Sequence, residues 1–323
     1  MTGKGLKRLL GTMLLGASLL AGVQAFAASL VVGDQSFNAR TVMEAAGVLA
    51  DLPYELEWKQ FTAGSPVAEA FNVGSLDVGL LGDAPPLFLG ALGAPIKVIG
   101  ISQQNRKGVA ILVRKDSPIR RLEDIRGHSA AIWKGSWSQQ LLFTALERAG
   151  VSPEQVQLRY LGALDASHAL EGGSVDVIAT WEPYVTQQEL QGARVLATAE
   201  ELIPAQTFVV ATDKAIAAKR ELLGDFLRRL RQARDWVLSD PANSERYADT
   251  WAELTRADRE VARRWFARAA IRVRPVDEAA IAEAQKTVDF FSRIGLIKGY
   301  PAASLFDASF NAYLQSPAAQ AAR

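Results

Sequence analysis

Short apolar runs alternate with apolar stripes at helical spacing along most of the chain. Residues 30–33 are apolar and read as a buried strand. A helix is predicted at 41–50, an alternating strand at 54–61 and a helix at 65–71, with Ser65 as its cap and Pro66 first in the helix. A strand follows at 76–81. Pro85 and Pro86 can only begin a helix, so Asp83 is its expected N-cap. A further strand is predicted at 96–101. The same order then returns: a strand at 128–133, a helix at 136–149 closed by Gly150, a strand at 156–161, a helix at 166–170 and a strand at 175–180. Strands alternating with helices imply mostly parallel sheets. From Lys214 onward the chain is helical and charged. The stretch 220–231 reads as an amphipathic helix with a basic outer face in water.

The two halves share wording as well as grammar. Ala70-Phe-Asn-Val-Gly-Ser-Leu-Asp-Val78 recurs 99 residues later as Ala169-Leu-Glu-Gly-Gly-Ser-Val-Asp-Val177, with five of nine positions identical. Each copy runs on to an acidic residue closely followed by proline, at Asp83 and at Glu182. A repeated helix, turn and strand predicts two similar α/β lobes with a ligand cleft between them. Extended crossings at 102–109 and 205–210 would join the lobes. The first lobe is then discontinuous, 28–105 with 208–323, and the second is 106–207.

Composition sharpens this. A length of 323 residues allows about two domains. Lys4, Lys7 and Arg8 precede an apolar run at 9–23, and Ala25-Phe26-Ala27 supplies a small-x-small cleavage pattern. A run of that length is short for a membrane span, which needs about 20 residues. Residues 1–27 are therefore expected to be a cleaved export signal. The chain carries 36 Lys and Arg against 35 Asp and Glu, so losing the three leader cations leaves a net charge of −2 and no bulk field for nucleic acid. There is no cysteine. That excludes disulfides, thiolate metal sites, cysteine nucleophiles and a lipidated N-terminal cysteine together. An exported chain without a lipid anchor is expected in a periplasm.

Ligands of such sheets sit beyond the carboxyl ends of the strands. Four strand-end loops should face the cleft: Gly33-Asp34-Gln35-Ser36, Leu81-Gly82-Asp83-Ala84, Trp133-Lys134-Gly135-Ser136-Trp137-Ser138 and Thr180-Trp181-Glu182. Two of them lead into helices, whose first N–H groups and positive dipole ends receive anions. Gly82 and Gly135 let a ligand approach the backbone, and Ser136 and Ser138 add hydroxyls. Ser136 equally suits a helix cap. Lys134 either meets the anion or points to solvent. Trp181 either packs in the core or forms a flat wall, and Trp133 and Trp137 would make the pocket aromatic. Asp83 and Glu182 read as caps or lobe-bridging acceptors rather than a catalytic pair, because carboxylates repel a bound anion. No phosphate-binding loop and no Gly-x-Ser-x-Gly elbow occurs, and His128 and His168 stand apart from other ligand-type residues. No catalytic residue, metal or cofactor is expected.

At these loops the chain resembles the periplasmic solute-binding proteins of sulfonate, taurine and nitrate importers, and is most similar to the aliphatic sulfonate branch. The resemblance rests on residues 61–79, Gly82-Asp83-Ala84-Pro85-Pro86, Gly127-His128, Lys134-Gly135-Ser136 and Trp181-Glu182-Pro183-Tyr184. It implies a two-lobed, type II binding protein, most often monomeric, that closes on a small organic anion. The anion is then delivered to the membrane permease of an ATP-driven importer. Carried over position by position, the implied contacts are Gln35, Gly82, Asp83, Ala84, Gly135, Ser136, Ser138 and Trp181. Three positions depart from the branch. Leu81 replaces a hydroxyl residue, Trp137 a small one, and Gln139 a histidine. The extra tryptophans suggest a bulkier or aromatic sulfonate, or a sulfate ester, over nitrate. Desulfinases that resemble this family use a cysteine, which this chain lacks. A ligand-sensing role on the same fold is the remaining alternative.

Overall fold

The computed structural model describes residues 28–315, so the expected leader at 1–27 lies outside the described residues. The chain opens with β1 (Ser29–Gln35), α1 (Asn38–Ala45), β2 (Glu55–Phe61), α2 (Gly64–Asn72), β3 (Val78–Gly82), α3 (Ala84–Ala91) and β4 (Ile96–Gln103). It continues through β5 (Val109–Val113), β6 (Ser129–Ile132), α4 (Trp137–Arg148), β7 (Gln157–Tyr160), α5 (Ala163–Glu171), β8 (Val177–Trp181), α6 (Tyr184–Leu190) and β9 (Arg194–Thr198). The remainder is β10 (Thr207–Thr212), α7 (Asp213–Ala218), α8 (Arg220–Ser239), α9 (Pro241–Thr255), α10 (Arg259–Ala269), β11 (Arg272–Arg274) and α11 (Glu278–Arg293).

These strands make two sheets, ordered β11-β4-β10-β3-β1-β2 and β7-β6-β8-β5-β9. Both are mixed. In the first, β1 pairs parallel with β2 and β3, whereas β10 runs antiparallel between β3 and β4. In the second, β6 pairs parallel with β7 and β8, and β5 runs antiparallel between β8 and β9. The two inserted strands, β5 and β10, are the first strands after the chain changes sheet. Each enters from the far side and so points against its neighbours. Residues 205–210, expected as a crossing, mostly belong to β10. The links between the sheets are 104–108 and 199–206.

Each sheet is covered on both faces, which is why its central strands are continuously apolar. Over one face of the first sheet, Val42 of α1, Phe226 and Leu230 of α8 and Trp251 of α9 pack on Leu30, Val32 and Val209. Over the other, Val67 of α2, Leu87 of α3 and Val288 of α11 pack on Val98 and Val210. The second sheet buries Ile111 and Ile132 under Leu141 and Leu142 of α4, and Leu112 and Ile178 under Leu170 of α5 and Val185 of α6.

Two cap expectations fail. The N-cap position of α2 is Ala63, and no side chain caps it. Asp83 stands at the N-cap of α3 but its carboxylate does not bond the helix; it reaches across the molecule instead. Ser136 does cap α4, accepting from Ser138 N. Gly150, at φ +65°, follows its end in the left-handed conformation that glycine takes without strain.

Candidate ligand-binding cleft

Strands β1, β3 and β8 end at one place, the gap between the two sheets. A cavity of about 70 Å³ there is lined on one side by Asp34, Gln35, Gly82, Arg234 and Trp265, and on the other by Trp137, Trp181 and Glu182. A smaller chamber of about 30 Å³ adjoins it, bounded by Gly64, Ser65, Pro85, Trp133 and Ser136. Gln35, Gly82, Trp137 and Trp181 border both.

The cation of the cavity wall is Arg234, which shares that wall with the buried carboxyl of Asp34. Arg234 is 2% exposed and held by bonds to Tyr247 Oη at 3.1 Å and to the backbone and side chain of Asn38. Among the described residues its Nε has no acceptor, and neither do the buried indole N–H groups of Trp181 and Trp265. Three residues lining one cavity thus each keep an unpaired N–H donor. A buried unpaired donor costs about 1–3 kcal/mol. The three atoms have almost no accessible area, so an anion in the cavity meets them only with a small shift of these side chains; a compact anion with several oxygens suits such a set.

The basic residues of α8 are accordingly not all on a solvated face. Arg229 is also buried, bonded to Asp51 at 2.6 Å and Asp225 at 2.7 Å. Arg234 follows Leu230 by one helical turn, on the apolar stripe of Leu223, Phe226, Leu227 and Leu230. That spacing was the available sequence signal for it. Trp265, on the buried face of α10, had no such signal.

Asp34 sits 0% exposed at the start of α1, accepting from Ala39 N at 3.0 Å and Arg40 N at 2.9 Å. That helix end therefore holds an anion of the chain's own. Burial raises the Asp34 pKa, against those two backbone bonds.

Asp83 is completely buried below the cleft and lines neither chamber. One oxygen accepts from Trp137 Nε1 of the opposite lobe at 2.6 Å; the other accepts from Thr287 Oγ1 at 3.2 Å and Gln206 N at 3.4 Å. Burial pushes its pKa up to about 6, with the Trp137 bond pulling the other way. Glu182 plays the reciprocal part from the second lobe. It accepts from Thr186 N and Oγ1, both at 3.0 Å, and from Arg268 Nη1 of α10 at 3.0 Å. Burial lifts its pKa to about 7, opposed first by Arg268. Arg268 also binds Glu189 of α6. Both acidic residues are lobe-bridging acceptors, one of the two readings the sequence left open.

The structure does not bring every expected contact residue to the cavity. Ala84 is 0% exposed and packs with Phe290 and Phe291. Ser138 is equally buried; its hydroxyl accepts from Trp133 N at 2.8 Å. Both support the site from behind. The start of α3 is also poor in donors, because Pro85 and Pro86 lack N–H groups and Asp83 places a carboxylate beside it. Lys134 is exposed and, with Gly135, borders an outer groove beside Phe88 and Leu92. Gly135 N donates to Gln139 Oε1 at 2.7 Å and so is committed within its own loop. Ser136 borders the smaller chamber, its hydroxyl donating to Trp133 O at 2.7 Å. Trp133 lies 6.3 Å from Trp181, ring centroid to centroid. The added tryptophans narrow the cleft instead of widening an aromatic one.

Two α/β lobes meeting at the carboxyl ends of their strands define a two-lobed binding-protein fold. The particular family follows from comparison with known proteins: residues 55–244 match the NMT1/THI5-like model, and the chain belongs to that family. A protein of Escherichia coli (strain K12), provisionally named an aliphatic sulfonates-binding protein, is 40% identical over 158 residues, 49% of this chain and 50% of that one. The match thus spans about half the length of this curated relative. Among solved structures, the periplasmic aliphatic sulphonate binding protein SsuA from Escherichia coli superposes with a TM-score of 0.78 at 29% identity, over 86% of this chain and 91% of its own. The alkanesulfonate-binding protein SsuA from Xanthomonas axonopodis pv. citri, bound to MOPS, gives 0.78 at 30%, over 87% and 98%. The desulfurization enzyme DSZB shares the fold alone, at 16% identity and a TM-score of 0.66 over 89% of this chain and 99% of its own.

Proposed function

We propose that this protein binds a small organic anion, a sulfonate, between its two lobes and delivers it to the membrane permease of an ATP-driven importer. The carrying observation is the cavity between the sheets, with buried Arg234 and three unpaired N–H donors among its lining residues. A sulfonate offers three acceptor oxygens and a full negative charge in one compact group. The names of the relatives, two of them solved sulfonate-binding proteins, support the same ligand class. In this reading residues 28–105 with 208–323 form one lobe and 106–207 the other. Gln35, Gly82 and Trp181 contact the ligand, with Ser136 at the edge. The lobes close by hinge motion about the two links. The protein acts as a monomer in the periplasm after loss of the leader at 1–27.

Binding without chemistry fits the residues better than catalysis does. Of the two acids that line the cavity, Asp34 is engaged at the start of α1 and Glu182 in a cross-lobe bond; Asp83 behind it is bonded across the lobes, and the sequence contains no cysteine. Titration calorimetry with short alkanesulfonates tests the reading: saturable binding is expected, and Arg234→Gln should weaken it roughly 10- to 100-fold, the range for a lost hydrogen bond to a charged group. No heat with any sulfonate would refute the proposal.

A further inference from the structure

Trp137 stands at the division of the cleft, beside Gln35, Gly82 and Trp181. It borders both chambers, and its ring lies so close to the backbone of Gly82 that a Cβ there would stand 2.9 Å from Trp137 Cζ2. The same edge of the indole is tied down as well, Nε1 donating to Asp83 of the other lobe at 2.6 Å. The ring therefore cannot swing aside without breaking a bond that holds the lobes together. The larger chamber, at about 70 Å³, is half the size of the ~150 Å³ cavity known to accept a benzene ring. It has room for an anionic head group and a short chain. Growth of the ligand toward Pro85 and Trp133 is blocked by the indole.

Resting on the sulfonate reading, we propose that Trp137 is the specificity-determining residue of the cleft. It joins the lobes and, by the same contact, restricts the ligand to sulfonates with short, ring-free substituents. A ring-bearing sulfonate has to displace the indole, and so binds at the expense of the Trp137–Asp83 bond. The preference is steric and does not depend on the charge of the head group, which Arg234 meets from the opposite side.

Calorimetry with ethanesulfonate and with MOPS, a sulfonate carrying a morpholine ring, tests this in the full chain. The wild type is expected to favour ethanesulfonate. Trp137→Ala should shift the affinity ratio at least 10-fold toward MOPS. Trp137→Phe, which keeps a ring but loses the Nε1 donor, should weaken both ligands while keeping most of the size preference. Gly82→Ala, which pushes the indole into the chambers, should shift the ratio further toward ethanesulfonate and covers the case in which Trp137→Ala does not fold. A wild type that prefers MOPS, or a ratio unmoved in both Trp137→Ala and Gly82→Ala, overturns the role of Trp137 and leaves sulfonate binding standing. Binding of neither ligand by the wild type overturns both.

Discussion

At the scale of single residues, the cleft is built from charges taken out of water and given fixed partners. Arg234 is hydrogen-bonded by neutral groups, with the buried Asp34 carboxyl close enough to feel its charge; Asp83 and Glu182 each take one of their donors from the other lobe. The cost of burying the two carboxyls appears as raised pKa values, about 6 and about 7. Ordinary carboxyls titrate near pH 4. Between there and the raised values the folded protein holds protons that the unfolded chain has released. The contribution of both groups to stability is thus fully present below about pH 4 and is lost as pH rises through about 6 and then 7. The melting temperature should fall between about pH 4 and 7, and should fall less in Asp83→Asn. Identical profiles for the two proteins would remove Asp83 as a source. Of the cleft residues, Gln35, Gly82, Ser136 and Trp181 were legible from strand ends and turn chemistry. Arg234 was overlooked because α8 looked like a solvated basic helix, although its place on the apolar stripe marked it.

At the scale of elements, the near-repeat has a mechanical meaning. In each copy the aspartate clamps the start of a neighbouring strand. Asp77 accepts from Val31 N of β1 at 2.8 Å and donates its own N–H back to Val31 O at 2.9 Å; Asp176 does the same with Ser129 of β6, at 3.0 and 3.1 Å. Each clamp sets the register of the strand whose far end carries a cleft loop. Asp176→Ala leaves the Ser129 N–H without its partner and should cost about 1–3 kcal/mol, read as a lower midpoint in urea with unchanged slope. An unchanged midpoint would deny the clamp a role in stability. Among the elements not read from the sequence are β5, of which the crossing expected at 102–109 takes in only Val109, and β10, most of which lay in the crossing expected at 205–210. Their apolar runs suit a central strand, but only pairing decides that they enter antiparallel.

At the scale of the molecule, the lobes are held together by a few side chains that bridge the gap. Arg268 of α10 reaches both Glu182 and Glu189, and Arg293 of α11 meets Glu147 of α4 at 2.9 Å. The second pair is exposed and contributes little. The first is largely shielded, so it is the better candidate for holding the closed form. Arg268→Gln should leave each lobe folded while raising the radius of gyration measured by small-angle scattering, and added sulfonate should bring it back toward the wild-type value. A radius unchanged by the substitution would show that closure rests on other contacts.

The alternation of apolar runs and helical stripes, the nine-residue repeat and the strand-end glycines determined the two-lobed α/β architecture and the position of the cleft. Those features act locally, through hydrogen-bond periodicity, turn geometry and the need to bury one face of each element. The contents of the cleft were decided by the tertiary structure. Arg234, Trp265 and Trp137 come from separate parts of the chain, and what each does depends on what it meets across the gap. A tryptophan beside a cleft loop reads from sequence as a wall for a larger ligand. Laid on Gly82 and bonded to Asp83, it is a partition that makes the site smaller.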